Sequence, residues 1–393
     1  IGVRVFIGQR QASVSGSNLA PQARKRLVER AVAMAKLAPE DKYAGLAPRE
    51  KLAKGPFPDL ELFDAAEPSA EALEEIGRTA EDVMRQVKGV TNSEGGAGTW
   101  SSNRYRMVTS TGFSGGYDVS SFSLYASAIA GDGETMERAG EGRSTRWRAD
   151  LPSPTDIGRE AGERAVARLG AKKIGSTVAP VIFERKIASS IMGPLINAIS
   201  GPAIARGVSF LKDKLGAQVF SPNVTITDEP HRVRGLGSSP YDDEGVANRE
   251  RAIIDKGVLT TWLLNTASAR QLGLETNGHA ARGLAGPPGV GVSNLTVQPG
   301  TRDLDQMMAD AGKGLLVTAM FGPSLNANTG DWSAGVSGFW FENGQLAFPV
   351  NEITVAGNLI DIFARVVSGA DLEIRNASNA PSLLVDNLAI AGR

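Results

Sequence analysis

"GFWFENGQLAFPV", residues 338–350, decides the fold class. Apolar and aromatic residues run up to Asn343-Gly344 and resume directly after it. Asn-Gly tolerates two successive left-handed residues and is the strongest short signal for a type I′ hairpin. "RAIIDKGVLTTWLL", residues 251–264, repeats the form and turns at Lys256-Gly257. Both stretches read as apolar strand, acid-X-Gly, apolar strand, the pattern expected of related halves of one sheet system. The short helical patterns Ala267–Leu272 and Leu304–Ala311 lie between them. Strands joined by hairpins, with a few short helices, indicate an α+β class rather than an alternating parallel fold.

Towards the N-terminus, "SSIMGPLINAISG", residues 189–201, reads as one helix. Ile187, Ile191, Leu195 and Ile199 recur every four residues, which lines them along one face, and Gly201-Pro202 stops the run. A further short helix is expected around Gly207–Leu215. Before residue 170 the pattern changes: helices alternate with strands. "GVRVFIGQRQASVSGS" predicts a hairpin, and Pro21 opens a helix with the inner stripe Leu27, Ala31, Ala35 and Ala38. Ser69 caps the next, striped by Leu73, Ile76, Ala80, Val83, Met84 and Val87. "TNSEGGAGTW" reads as a Gly-rich turn, followed by strands around Tyr105–Thr111 and Tyr117–Ala130. Ser153 as cap, Pro154 first and Gly170 beyond the end mark a third helix. The expected organisation is an N-terminal α/β sandwich-like domain over residues 1–175 and a mostly β C-terminal domain with a few short helices over residues 176–393. The chain opens inside a strand, "IGVRVFIG", so a first segment is expected ahead of Ile1.

Composition removes several function classes. The 393 residues carry 42 Lys and Arg against 43 Asp and Glu, a net charge of −1. That balance gives no general attraction for nucleic acid or anionic lipid. There is no cysteine, which excludes disulfides and thiol chemistry and fits a cytoplasmic location. No apolar run approaches the roughly 20 residues a membrane helix needs. With only His231 and His279, metal and acid–base schemes are severely limited.

The remaining candidate chemistry is sparse. "DDEG", Asp242–Gly245, lacks the alternating ligand spacing of a calcium loop and reads as a solvated acidic turn. "GGAG" and "GPPGVG" do not continue into Gly-Lys-Ser/Thr, so flexible loops are expected rather than phosphate cradles. His231 and His279 each stand isolated and read as structural or surface residues. "NGHAARGLAGPPGVGVSNL", residues 277–295, exceeds ordinary loop length. The following "VSNLTV" alternates like an edge strand, able to accept an extended peptide by strand addition. Gly286, Pro287, Gly289, Ser293 and Asn294 are then the expected peptide-binding residues. A surface excursion without a ligand is the other reading of the same loop.

Four long segments carry a family resemblance: "GVSFLKDKLGAQVFSPNVTITDEP", "RGLGSSPYDDEGVANRERAIIDKGVLTTWLLNTASARQLG", "TNGHAARG" and "SGFWFENGQLAFPVNEITVAGNL". They resemble the TldD/PmbA family, known for modulation of DNA gyrase and for microcin processing. The resemblance implies a two-subunit zinc metallopeptidase acting on unfolded or leader peptides. TldD-type subunits carry His-Glu-x-x-x-His on a helix and a cysteine ligand; PmbA (TldE)-type subunits lack them. Spacing back from "ARGVSFLKDKLG" puts Met192 and Gly193 where the first His and the Glu would stand, and Asn197 where the second His would stand. The resemblance therefore implies a PmbA-like subunit with no catalytic or metal residues of its own, inactive alone, whose TldD-like partner holds the zinc. The alternatives are a stand-alone homodimeric peptide-binding protein and a DNA gyrase modulator without protease activity. Direct nucleic-acid binding and membrane association are not expected.

Overall fold

The computed structural model describes residues 1–392. The chain opens with the hairpin β1 (Gly2–Ile7) and β2 (Arg10–Ser15), in register from Gly2↔Ser15 to Ile7↔Arg10. Helix α1 (Pro21–Leu37) begins at its proline and lies on this hairpin through Ala31 and Ala35, both fully buried. Small side chains let the helix sit close. Leu27 and Ala38 complete the stripe only half-buried.

Helix α2 (Ala70–Gln86) starts where Ser69 Oγ accepts the Ala72 N–H at 3.2 Å. Three antiparallel strands follow: β3 (Val90–Val108), β4 (Ser114–Ala130) and β5 (Glu137–Thr145). Thus "TNSEGGAGTW" is not a turn; it is the first half of a long strand. Its glycines serve helix packing instead. A Cβ on Gly96 would stand 2.1 Å from the carbonyl oxygen of Gly77 in α2. Helix α3 (Pro154–Val166) is capped by Ser153 Oγ, which accepts the Asp156 N–H at 3.1 Å. α2 and α3 cover one face of the sheet around Ala80, Met84, Leu124, Ile157 and Ala161.

Beyond α3 come β6 (Thr177–Phe183), α4 (Arg185–Ala188), one 3₁₀ turn (Ser189–Ile191), α5 (Met192–Ala198) and α6 (Gly201–Arg206). β7 (Ile226–Asp228), β8 (Arg251–Asp255), β9 (Val258–Leu259), α7 (Thr266–Leu272), β10 (Ala280–Ala281), β11 (Gly289–Val290) and β12 (Leu295–Val297) follow. The chain ends with α8 (Leu304–Ala311), β13 (Lys313–Leu325), β14 (Asp331–Glu342), β15 (Gln345–Asn358), α9 (Leu359–Arg365), β16 (Val367–Ser368), β17 (Ser378–Asn379) and β18 (Leu383–Ala391).

This half is mostly β, so the class is α+β as the sequence indicates. β15, β14, β13, β6 and β18 form one sheet, and pairing of β15 with β18 closes it into a barrel. A second sheet runs β17-β12-β7-β8-β9. One core joins them, centred on Phe183, Leu195, Ile199, Phe220, Leu315, Val385 and Phe363. The two hairpins turn as expected, with φ of 46° at Lys256 and 53° at Asn343. They are not halves of one sheet system, however: β8–β9 lies in the second sheet and β14–β15 in the barrel. Nor is Gly207–Leu215 a helix. Gly207, at φ 71°, ends α6, and the helical turn lies earlier because Pro202 starts it. The following segment is held instead by Ser209, whose hydroxyl donates to the Ala198 carbonyl at 2.6 Å.

Candidate functional site

The helix over residues 185–198 is broken rather than continuous: α4 passes through the 3₁₀ turn into α5. Ile191, Leu195 and Ile199 face the core, as their spacing predicts, and Ile187 packs against its edge. Met192 is 1% exposed and belongs to that core, whereas Asn197 is exposed. Gly193 has no side chain, and a Cβ there would meet nothing within 4 Å. These three positions supply a buried thioether, a hydrogen and an outward amide. Zinc binds imidazole, thiolate and carboxylate, and activation of its water needs a base. The residues present do not fit a zinc centre.

A cleft of about 310 Å³ lies between the N-terminal sheet and the loops of the second half. Tyr105 and Tyr117 on β3 and β4 stack at 5.2 Å along one wall. Burial raises the Tyr117 hydroxyl far above the usual phenol range, and the Asp243 charge adds to this. Arg146 reaches across the base of the cleft: it donates to the Ser120 carbonyl at 3.1 Å and to that of Gly235 at 3.4 Å. It therefore ties the two halves together.

The opposite wall is built on "DDEG", which is not a solvated turn. Asp242 and Glu244 are buried. Asp242 Oδ1 accepts the N–H groups of Glu244 at 2.9 Å and Val246 at 2.8 Å, and Oδ2 accepts that of Ala280 at 3.1 Å. Glu244 accepts the Thr266 N–H at 2.7 Å, at the first residue of α7. Burial pushes the Asp242 carboxyl up to about 7, against those three N–H bonds. The acidic cluster is a hub that fixes loops by satisfying their backbone donors.

Neither histidine is isolated. His231 Nε2 pairs with Asn248 Oδ1 at 2.8 Å. His279 is 5% exposed, with Nε2 3.3 Å from Asp228 Oδ2 and Nδ1 2.9 Å from Asn277 Oδ1. Asp228 in turn accepts the Ser293 N–H at 2.8 Å. The histidines thus anchor loops. Two of the cleft's hydroxyls are committed too: Ser238 donates to the Arg232 carbonyl at 2.6 Å and Ser239 to that of Tyr241 at 2.9 Å.

The expected peptide-binding residues separate. Ser293 lines this cleft, but Asn294 is fully buried beneath it, bonded to the Gly237 N–H, the Glu229 carbonyl and Ser238. Gly289 pairs within the short hairpin β10–β11, and Gly286 and Pro287 lie in its connecting loop. The alternating "VSNLTV" is not an edge strand: β12 lies between β17 and β7, and all three of its residues are buried. Its polar Thr296 is buried because it reaches Glu229 at 3.1 Å, a side-chain partner that alternation does not reveal. Tyr105, Tyr117 and Arg146 went unremarked as site residues in the sequence. The one signal was an aromatic residue on each side of the "GFSGG" turn.

Two domains of one sequence family match. Residues 176–392 match the PmbA/TldA metallopeptidase C-terminal domain and residues 63–169 the central domain. Metalloprotease PmbA of Escherichia coli O157:H7 is 38% identical over 395 residues, covering 100% of this chain and 86% of that protein. The Haemophilus influenzae homologue is 35% identical, covering 100% of this chain and 85% of its own length. A candidate DNA gyrase modulator from Bacteroides thetaiotaomicron superposes with a TM-score of 0.92 at 30% identity, covering 100% of this chain and 88% of that one. TldE from Thermococcus kodakarensis shares the fold, with a TM-score of 0.86 at 22% identity over 99% of this chain and 89% of its own.

Proposed function

Because this chain belongs to the PmbA/TldD metallopeptidase family, we propose that it is the non-catalytic subunit of a two-subunit zinc peptidase acting on unfolded or leader peptides. A TldD-like partner supplies the metal, the general base and the cut. This chain shapes the substrate path and the subunit contact, in the cytoplasm. The observation that carries the reading is the donor set at Met192, Gly193 and Asn197, which offers zinc neither imidazole nor carboxylate. Cysteine is absent from the whole sequence, so a thiolate cannot complete the set.

The test is co-expression with a TldD-like protein. The two are expected to co-purify and to cleave an unfolded peptide in a chelator-sensitive way. The chain alone is expected to hold no stoichiometric zinc by elemental analysis and to cleave nothing. Chelator-sensitive cleavage by the chain alone overturns the assignment. Modulation of gyrase by direct DNA binding is a weaker reading, since a net charge of −1 gives duplex DNA no electrostatic hold.

A further inference from the structure

A second cleft, of about 520 Å³, shares no lining residue with the first and opens between the end of α3, strands β4 and β5, and barrel strand β13. Its walls carry five cations, Arg138, Arg164, Arg168, Lys186 and Arg375, against the carboxylates of Glu94 and Glu141. Four cations have carboxylate partners. Arg138 meets Glu94 at 2.8 Å, Arg164 meets Glu184 at 3.1 and 3.2 Å, and Lys186 and Arg375 converge on Glu141. Burial raises the Glu141 carboxyl, but those two cations more than offset it and hold it below the usual range.

Arg168 differs. Its Nη1 donates to the Arg138 carbonyl at 2.8 Å, and among the described residues no carboxylate lies within ion-pair distance of it. Burial lowers its pKa and the charge of Arg164 adds to that, while Glu137 and Glu184, beyond ion-pair distance, offset it only in part. A half-buried guanidinium without a direct ion pair is an unfavourable arrangement that an anion in contact relieves. A second observation lies on the facing wall. Thr318 is 8% exposed and lines the cleft, with its Oγ1 buried just beneath the surface and without a hydrogen-bond partner among the described residues. It sits at a register shift in β13, between Val317 and Ala319. β6 pairs with β13 only from Leu315 to Val317. From Thr318 onward, among the described residues, no strand pairs with that side of β13. The cleft therefore combines a cation without a direct ion pair and a length of strand edge that no strand covers, the fittings for an extended chain bearing a carboxylate.

We propose that this cleft binds the carboxylate of an extended peptide, with Arg168 as the anion ligand and the Thr318 edge of β13 as the backbone rest. The proposal shares with the preceding reading only that the ligand is a peptide. It concerns this chain alone, so binding here and cleavage by the pair succeed or fail separately.

Two sources of the carboxylate, a chain terminus or an acidic side chain, are separated by four versions of one flexible peptide with an uncharged dye. The C-terminus is free or amidated, and one internal Asp is present or absent. Binding to the purified full chain is read by fluorescence polarisation. The amidated, Asp-free peptide is expected to bind at least about tenfold more weakly than the best carboxylate-bearing version. Whichever single carboxylate restores binding names the source. Arg168→Gln is expected to weaken the best peptide by about tenfold, with Arg168→Lys intermediate. The thermal midpoint checks that each variant is folded. Equal binding of all four peptides, no binding of any at about 1 mM, or unchanged binding by folded Arg168→Gln overturns the proposal.

Discussion

Among the described residues no cation pairs with Asp242; backbone N–H groups surround its carboxylate, and burial raises its pKa to about 7. The unfolded chain titrates this group near 3.9. The folded state therefore holds the proton more tightly than the unfolded one. Its contribution to stability is full below about pH 4 and is lost as pH rises through about 7. For one such group, unfolding free energy falls by about 1.4 kcal/mol between pH 6 and pH 8. Asp242→Asn has no proton to lose, so its stability should lack that slope, whatever its absolute level. Urea titrations of both proteins at the two pH values measure the difference; parallel slopes would refute it. The four residues of "DDEG" display their acidity in the sequence, but not their burial. Whether an acidic turn meets water or backbone N–H groups depends on Ala280 and Thr266, which lie far along the chain.

At the scale of elements, α2 and α3 were legible because their caps and stripes are local. Ser69 and Ser153 bond residues three positions on, and no distant partner decides that geometry. The first half of β3 was not legible, because its glycines answer to a helix elsewhere in the chain. The same close approach governs α3 itself. A Cβ on Gly158 would lie 2.1 Å from the carbonyl oxygen of Ala80 in α2. Backbone cannot yield as a flexible side chain does, so the two helices would have to separate. Gly158→Ala is expected to destabilise the protein by about 1–3 kcal/mol, although alanine favours an isolated helix. A raised or unchanged thermal midpoint would show that the helices part at little cost. The same logic explains the hairpins: Asn343-Gly344 sets a turn locally, but which sheet receives its strands is decided by partners such as β13 and β18.

For the whole molecule, one seam between the N-terminal sheet and the second half is held by ion pairs. Glu141 on β5, 3% exposed at its side chain, receives Lys186 from α4 and Arg375 from the loop before β17. Arg143 meets Glu373 across the same seam at 2.8 Å. Removing Arg375 leaves Glu141 buried with one cation instead of two. Arg375→Ala is expected to cost about 1–3 kcal/mol. It should also loosen the seam, seen as faster amide exchange in β5 with the exchange of β14 unchanged. Equal exchange in wild type and variant would show that Lys186 alone suffices. Among the described residues no helix is long and apolar enough to cross a membrane. By itself the sequence determined the α+β class, the capped helices, both hairpin turns and the stripe of α5. Each follows from residue type and short spacing, because caps, turns and periodicity act within a few positions. Only the tertiary structure decided that β3 is a strand through its glycines, that β12 is interior, that "DDEG" is buried and that Arg168 makes no direct ion pair among the described residues. Those facts depend on which distant groups come to lie opposite, and partners separated by tens to hundreds of residues leave no periodic trace in the sequence.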